Sequence, residues 1–298
     1  MRRLLLALCA VLMVSGSAHS ADSGTEEKFR VGISPQSLLS VNRNDFHAAV
    51  KAWSASVIGE RQLDIEEDVQ LFDSAASFVH AVRDKRVDAL QLTTAEFLTL
   101  GIEPERVYLL AKSGGAHVRY VLIARADAAF KGIDALAGEE LIVHDGRRME
   151  LARAWLASLY AGPGAAGAPS GLRREESASK AILQVFFGQA KASIVTRDAL
   201  ELAGELNPQV RRDLVVLAES MPLITNLFVL HPAWQSALRP AVEEAVADLH
   251  RTEAGKQVLL VFQGERMEPH PVAVLDQTLA FLRAQPGARG EARTGRER

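Results

Sequence analysis

Cysteine is almost absent from this chain. Its 298 residues contain one, Cys9, which sits inside an apolar run near the amino terminus, behind Leu6-Ala7-Leu8. Beyond that run there is no thiol nucleophile, no disulfide and no cysteine metal site. A basic excess is lacking too. Thirty-four Lys and Arg face 37 Asp and Glu, for a net charge of -3, and removing Arg2 and Arg3 takes it to -5. This balance excludes the electrostatic footprint of a nucleic-acid binder. No later apolar run reaches the length of a membrane span. There is no HExxH metal motif, no Walker phosphate loop and no GxSxG serine elbow. The histidines are dispersed without metal-ligand spacing. No cofactor is expected, and catalysis is the weakest of the functions open to the chain.

What is present starts with the order of a secretory signal. Met1-Arg2-Arg3 is a short basic head, Leu4 to Val14 is apolar, and Ser15 to Ala21 is small and weakly polar, with Ala18, Ser20 and Ala21 as cleavage neighbours. The apolar part is too short to span a bilayer comfortably. Residues 1–21 are therefore expected to be a signal peptide, and a cysteine-free mature protein suits the bacterial periplasm. A polar leader over 22–28 and a charged, Gly-rich tail over 286–298 are expected to be loosely ordered. The remaining length suffices for one large domain or two modest lobes.

Between leader and tail, strand and helix patterns alternate. Phe29-Arg30-Val31-Gly32-Ile33 reads as a strand ended by Ser34-Pro35-Gln36-Ser37. Phe46, Ala49, Val50, Trp53 and Val57 recur at helical spacing. Val69 to Phe72 is a second strand, and Asp73-Ser74 caps a helix striped by Phe78, Val79 and Val82. A strand then rises to Leu92, with Thr93-Thr94-Ala95-Glu96 opening the next helix. This βαβ rhythm predicts an α/β protein with mostly parallel sheets flanked by helices. Val107 to Ala111 and Val118 to Ala124 are strands on either side of Ser113-Gly114-Gly115, where the chain passes between lobes. The expected division is 29–113 for lobe one, completed by 223–285, and 114–222 for lobe two. Within lobe two, strands are expected at 140–143, 191–195 and 214–218, and helices after His144, from Glu176 and from Thr196. The Gly/Ala/Pro-rich stretch from Ala161 to Gly171 reads as a surface excursion. Helical patterns return over Ala237 to His250 and Pro271 to Leu282.

Four stretches, in this order, resemble one family. They are Phe29 to Pro35, Val87 to Leu98, Phe130-Lys131-Gly132-Ile133-Asp134-Ala135-Leu136-Ala137-Gly138, and Phe187-Gly188-Gln189-Ala190-Lys191-Ala192-Ser193-Ile194-Val195. The chain is similar to the periplasmic substrate-binding components of phosphate, phosphite and phosphonate ABC transporters, the PhnD-like group, over about residues 29 to 235. The resemblance implies a type 2 periplasmic binding fold, with two α/β lobes joined by two crossings. It also implies a ligand in the cleft, hinge closure coupled to binding, and a membrane transporter permease as partner. Members that bind phosphonates carry a Ser/Thr-rich turn at the start of a lobe-two helix. Here that turn reads His144-Asp145-Gly146-Arg147-Arg148-Met149-Glu150, without a hydroxyl. Two arginines can hold an anion there, or Asp145 can select an amine.

Ligands of such folds sit beyond the carboxyl ends of the strands. Ser34, Gln36 and Ser37 follow the first strand and are either cleft residues or a turn. Thr93 and Thr94 can offer hydroxyls and free helix amides to an anion, or simply cap the helix. Arg147 and Arg148 supply a fork of donors suited to carboxylate or phosphate, beside Asp145 and Gly146. Tyr120 and Arg119 lie near the crossing on opposite faces of a strand, Tyr120 as a ligand contact or a packed hinge aromatic. Thr196 and Arg197 repeat the strand-to-helix logic, and Ser177 and Ser179 flank the same side. The reading is a monomeric, extracytoplasmic solute-binding protein for a small polar, anionic ligand, phosphate- or phosphonate-like, serving an ABC transporter. The alternative is a ligand-sensing partner of a membrane sensor kinase, without transport.

Overall fold

A computed structural model describes residues 27–38, 42–128, 130, 132–144, 149, 151–161 and 167–285. The signal at 1–21, most of the leader, the turn at 145–148, the middle of the 161–171 excursion and the tail at 286–298 lie outside these residues.

The chain forms two sheets. The first holds β1 (Glu27–Ile33), β2 (Ile65–Leu71), β3 (Ala89–Thr93), β4 (Arg106–Ala111), β10 (Asn226–Leu230) and β11 (Arg266–Pro271), in the order β11-β4-β10-β3-β1-β2. The second holds β5 (Tyr120–Arg125), β6 (Glu140–His144), β7 (Gly171–Glu175), β8 (Ala192–Thr196) and β9 (Leu214–Glu219), in the order β7-β6-β8-β5-β9. Both are mixed. β1 pairs in parallel with β2 and β3, and β6 with β7 and β8. Antiparallel pairs arise where β11 lies against β4 at the edge of the first sheet and where a strand arrives from the other lobe. β5 enters from the first lobe and lies between β8 and β9. β10 returns from the second lobe and lies between β3 and β4. A strand delivered by a crossing runs against the neighbours that lead toward that crossing, so the parallel βαβ rhythm is interrupted at these places.

Helices cover both faces of the first sheet. Phe29, Val31 and Ile33 alternate onto one face and meet α1 (Arg43–Arg61), α8 (Arg239–Ala247) and α9 (Glu253–Val261). The other face carries Leu90, Leu92, Val107 and Leu109 against α2 (Ala75–Arg83), α3 (Thr94–Leu100) and α10 (Asp276–Ala284). In the second sheet, Val121, Ile123 and Val195 pack under α5 (Ala178–Phe186), beside α6 (Arg197–Leu206) and α7 (Pro208–Asp213). Its opposite face, with Leu122, Leu141 and Ile194, packs on α4 (Ala152–Leu159). That last cluster also takes in Phe281 and Leu282 of α10, with Ala95 and Leu98 of α3 against it. The lobes therefore share apolar contact on one side of the crossings. Burial of each such side chain stabilises by roughly 1.5–3 kcal/mol.

Local chemistry explains most element starts. Ser74 accepts a hydrogen bond from the Ser77 N–H, and Ser177 one from Lys180 N–H, so each caps its helix. Four elements are not apparent from the sequence pattern. β7 reads Gly-Leu-Arg-Arg-Glu, with no apolar alternation, because it is an edge strand paired only with β6. β11 contains Pro269 and Pro271, tolerated because it too lies at an edge, against β4. α7 and α9 are the others, short helices whose apolar faces are completed by tertiary neighbours. β1 also opens at Glu27, inside the stretch expected to be leader.

Gly32 permits a close approach, but by protein. A Cβ there would lie 2.8 Å from Val87 Cγ1 and 3.3 Å from Phe72 Cε2. Gly32→Ala is expected to cost about 1–2 kcal/mol through overpacking. Urea denaturation checks this, and an unchanged midpoint would remove the steric argument.

Candidate functional site

The first rim lies where β1 and β3 end. Ser34 and Thr93 are buried there, and both turn toward Glu96. The Ser34 hydroxyl donates to Glu96 Oε1 at 2.5 Å and accepts from the Gln36 N–H at 3.1 Å. The Thr93 N–H and hydroxyl donate to Glu96 Oε2 at 3.0 and 3.1 Å, while the Glu96 N–H donates back to Thr93 Oγ1 at 3.1 Å. This reciprocal pair is a capping box. The chain's own carboxylate thus occupies the hydroxyls that sequence reasoning offered to a ligand anion. Glu96 was missed as a site residue, although the Thr-x-x-Glu spacing signals the cap. Gln36 is exposed beside it, and the Ser37 hydroxyl donates to Ser34 O at 2.8 Å.

Between the rims run the two crossings. Val118 and Leu223 exchange backbone bonds, at 2.7 Å from the Val118 N–H and 2.9 Å from the Leu223 N–H. Ser220 donates its N–H to Tyr120 O at 2.8 Å, and its hydroxyl accepts from the Tyr120 N–H at 2.8 Å. Thr94 grips the return crossing: its hydroxyl donates to Ile224 O at 2.6 Å and its N–H to Thr225 O at 2.8 Å. The Ile224 N–H donates to the Thr278 hydroxyl of α10 at 3.0 Å. Tyr120 is fully enclosed near Trp155, with its hydroxyl accepting from the Leu151 N–H at 3.3 Å. Thr94 and Tyr120 are thereby joined to the hinge.

The second rim lies where β8 ends and β5 begins, in register at Tyr120 and Thr196. Thr196 caps α6 by accepting from the Ala199 N–H at 3.3 Å. Arg197 N–H donates to Arg119 O at 2.8 Å. Both guanidiniums converge on Glu219, which follows from neither motif nor spacing. Arg197 grips it through Nη2 and through Nε at 3.3 Å, and Arg119 approaches to 3.6 Å. The hydrogen bond from Arg197 holds the Glu219 carboxyl below the usual glutamate range, and the same bond raises the Arg197 pKa. The contribution of this pair to stability is complete above the ordinary glutamate pKa. It is lost as pH falls through the lowered one. Arg197 also lies 3.9 Å from Glu201, so at this partly exposed rim two guanidiniums face two carboxylates. Ser177 caps α5, and Ser179 is exposed on that helix. Asp145, Gly146, Arg147 and Arg148 lie outside the described residues. His144 ends β6 immediately before them.

Among the described residues no group of His, Cys, Asp or Glu is arranged to hold a metal ion. No described helix is long and apolar enough to cross a membrane.

Solved structures of low identity share this fold. XAC2383 from Xanthomonas citri bound to ATP is 13% identical, with a TM-score of 0.60, over 90% of this chain and 98% of that one. The same protein bound to chloride ion is 14% identical over 90% and 99%, also at 0.60. PhnD1 from Prochlorococcus marinus (MIT 9301), in complex with methylphosphonate, is 13% identical, with a TM-score of 0.53, over 92% of this chain and 100% of that one. A comparison with curated protein sequences finds no match. Residues 60–270, more than half the chain, match the family described as ABC transporter, phosphonate, periplasmic substrate-binding protein. Proteins of that family are non-enzymatic, extracytoplasmic binders of a small solute that work with a membrane permease. The chain belongs to the periplasmic substrate-binding protein family of phosphonate ABC transporters.

Proposed function

We propose that this protein, exported by its leading signal, works in the periplasm as a monomer. There it captures a small anionic solute between its lobes for delivery to an ABC permease. The observation that carries this reading is the pair Arg119 and Arg197 around Glu219, at the mouth of α6 and beside the crossings. Guanidinium forks suit the oxygens of phosphoryl, phosphonyl or carboxylate groups. Thr196 completes this side, and Gly146, Arg147 and Arg148 are further ligand contacts in this reading, on the donor chemistry of their side chains and backbone. Asp145 and Glu96 favour a ligand that also carries donor groups, hydroxyl or amine, away from its anionic end. Gln36 is the flexible contact on lobe one. Ser34, Thr93, Thr94 and Tyr120 act behind the contacts, positioning Glu96 and the hinge. PhnD1 with methylphosphonate and XAC2383 with ATP bind phosphorus oxyanions on the same fold, which supports the ligand class.

Calorimetry of the mature protein with phosphate, methylphosphonate, an aminoalkylphosphonate and ATP tests the reading. Saturable binding of at least one is expected, with compaction in solution scattering. Arg197→Ala is expected to weaken it at least tenfold, the effect of losing about 1.4 kcal/mol. Absence of binding across the panel and in native mass spectra of the freshly isolated protein, or unchanged affinity in Arg197→Ala, would overturn it. Copurification with a sensor-kinase ectodomain and no permease would replace transport by sensing.

A further inference from the structure

The first lobe contains a cavity of about 110 Å³ in its own core, whose polar end reaches Ser37 and Thr225 beside the first rim and the return crossing. The β1, β4 and β10 side chains form one wall, and α1, α8 and α9 the other. Among the described residues no Asp, Glu, Lys, Arg or His lines it. Polarity enters only through neutral groups. Ser37, Gln91, Thr225 and Asn226 gather where β1 and β3 end and β10 begins. Tyr108, in the wall, is 2% exposed, and its hydroxyl finds no hydrogen-bond partner among the described residues. A buried hydroxyl without a partner is costly and uncommon in a native core.

We propose that this cavity is a second binding site, for a small uncharged amphipathic molecule with an apolar body the size of a benzene ring and a neutral polar head. Size limits the body: apolar cavities of roughly 150 Å³ take up benzene, and this one is somewhat smaller at about 110 Å³, so a single ring is the upper bound. Lining chemistry sets the head. A charged group buried among these walls would have no counter-ion, whereas hydroxyls and carboxamides match an alcohol, phenol or amide. A concave, mostly apolar pocket with a few converging polar groups is the usual form of a small-molecule site. The ligand class is opposite in charge character to the one proposed for the cleft, so the two sites are separable by ligand alone.

Trp53 lines the cavity and reports on it. The mature protein is titrated with benzyl alcohol and with benzoate, followed by tryptophan fluorescence and ligand-observed NMR. Saturable one-site binding of benzyl alcohol is expected, at least tenfold tighter than benzoate. Val246→Phe, which fills the cavity from α8, is expected to weaken it at least tenfold. Val246→Leu, a smaller intrusion, gives an intermediate loss and carries the test if the larger side chain prevents folding. The site is overturned if benzyl alcohol shows no saturable binding at millimolar concentrations. It is equally overturned if benzoate binds as well, or if binding is unchanged in every filled variant that keeps the native circular dichroism spectrum.

Discussion

Arg30→Ala is expected to destabilise the protein by about 3 kcal/mol, seen as a lower urea midpoint and Tm. Asp88, immediately before β3, is 5% exposed. Its carboxylate accepts three bonds from one residue: Arg30 N–H at 2.9 Å, Nε at 2.8 Å and Nη2 at 2.7 Å. The backbone repeats the link, with the Asp88 N–H donating to Arg30 O at 2.7 Å and the His231 N–H to Asp88 O at 2.7 Å. One residue, Asp88, thus holds β1 through its carboxylate and the end of β10 through its backbone carbonyl. Removing the guanidinium leaves a buried anion uncompensated, which costs about 3–5 kcal/mol in enclosed pairs. Arg30 is itself one-third exposed, so the low end applies. Asp88→Asn is expected to cost less, because the amide oxygen still accepts and the orphaned guanidinium can reach water. Equal losses in the two variants, or a loss under about 0.5 kcal/mol for Arg30→Ala, within the ordinary range of surface changes, would show that the pair is solvated.

This pair also illustrates what the sequence makes legible. Phe29, Val31 and Ile33 announce β1 by alternation, and Ser74, Thr93, Ser177 and Thr196 announce helix starts by their chemistry; these are local signals. The parallel βαβ rhythm follows from them, and with it the two-lobed α/β fold. Arg30 and Asp88 are 58 residues apart, Ser34 and Glu96 62, and Thr94 and Ile224 130. No periodicity connects such partners. The strand-end positions of Ser34, Thr93 and Thr94 are therefore readable, but not that Glu96 and the Ile224 peptide already engage them. β7 and β11 escape notice for a related reason. An edge strand buries too little on either face to impose alternation, and its identity comes from the neighbour it pairs with. The arginine rim is legible as Arg119 and Arg197 separately; their convergence depends on Glu219 at the far end of β9, which only the folded sheet supplies.

The largest loss is expected where the return crossing is held from both sides. Ile224 lies between two threonines, its carbonyl accepting from Thr94 of α3 and its N–H donating to Thr278 of α10. Both side chains are buried, at 0% and 1% exposure. Valine keeps their shape and removes the hydroxyl, so each replacement strands one buried peptide group. Leaving such a group unsatisfied costs about 1–3 kcal/mol, and Thr94→Val with Thr278→Val together are expected to cost about 4 kcal/mol. The two hydroxyls hold the N–H and the carbonyl of one residue, in adjacent peptide groups, so the losses should couple, and a double-mutant cycle should depart from additivity by at least about 0.5 kcal/mol. The consequence for function follows from position. Ile224 adjoins Leu223, whose exchange of bonds with Val118 joins the two crossings, so a freed peptide here loosens the segment that connects the lobes. Amide exchange at Leu223 and Ile224 should accelerate in each single variant more than exchange in β3 or β8, a local opening below the global unfolding energy. Ligand affinity should shift as well, because a looser crossing alters the balance between open and closed forms. Uniform acceleration across both sheets would instead mark the threonines as ordinary core residues with no particular hold on the hinge.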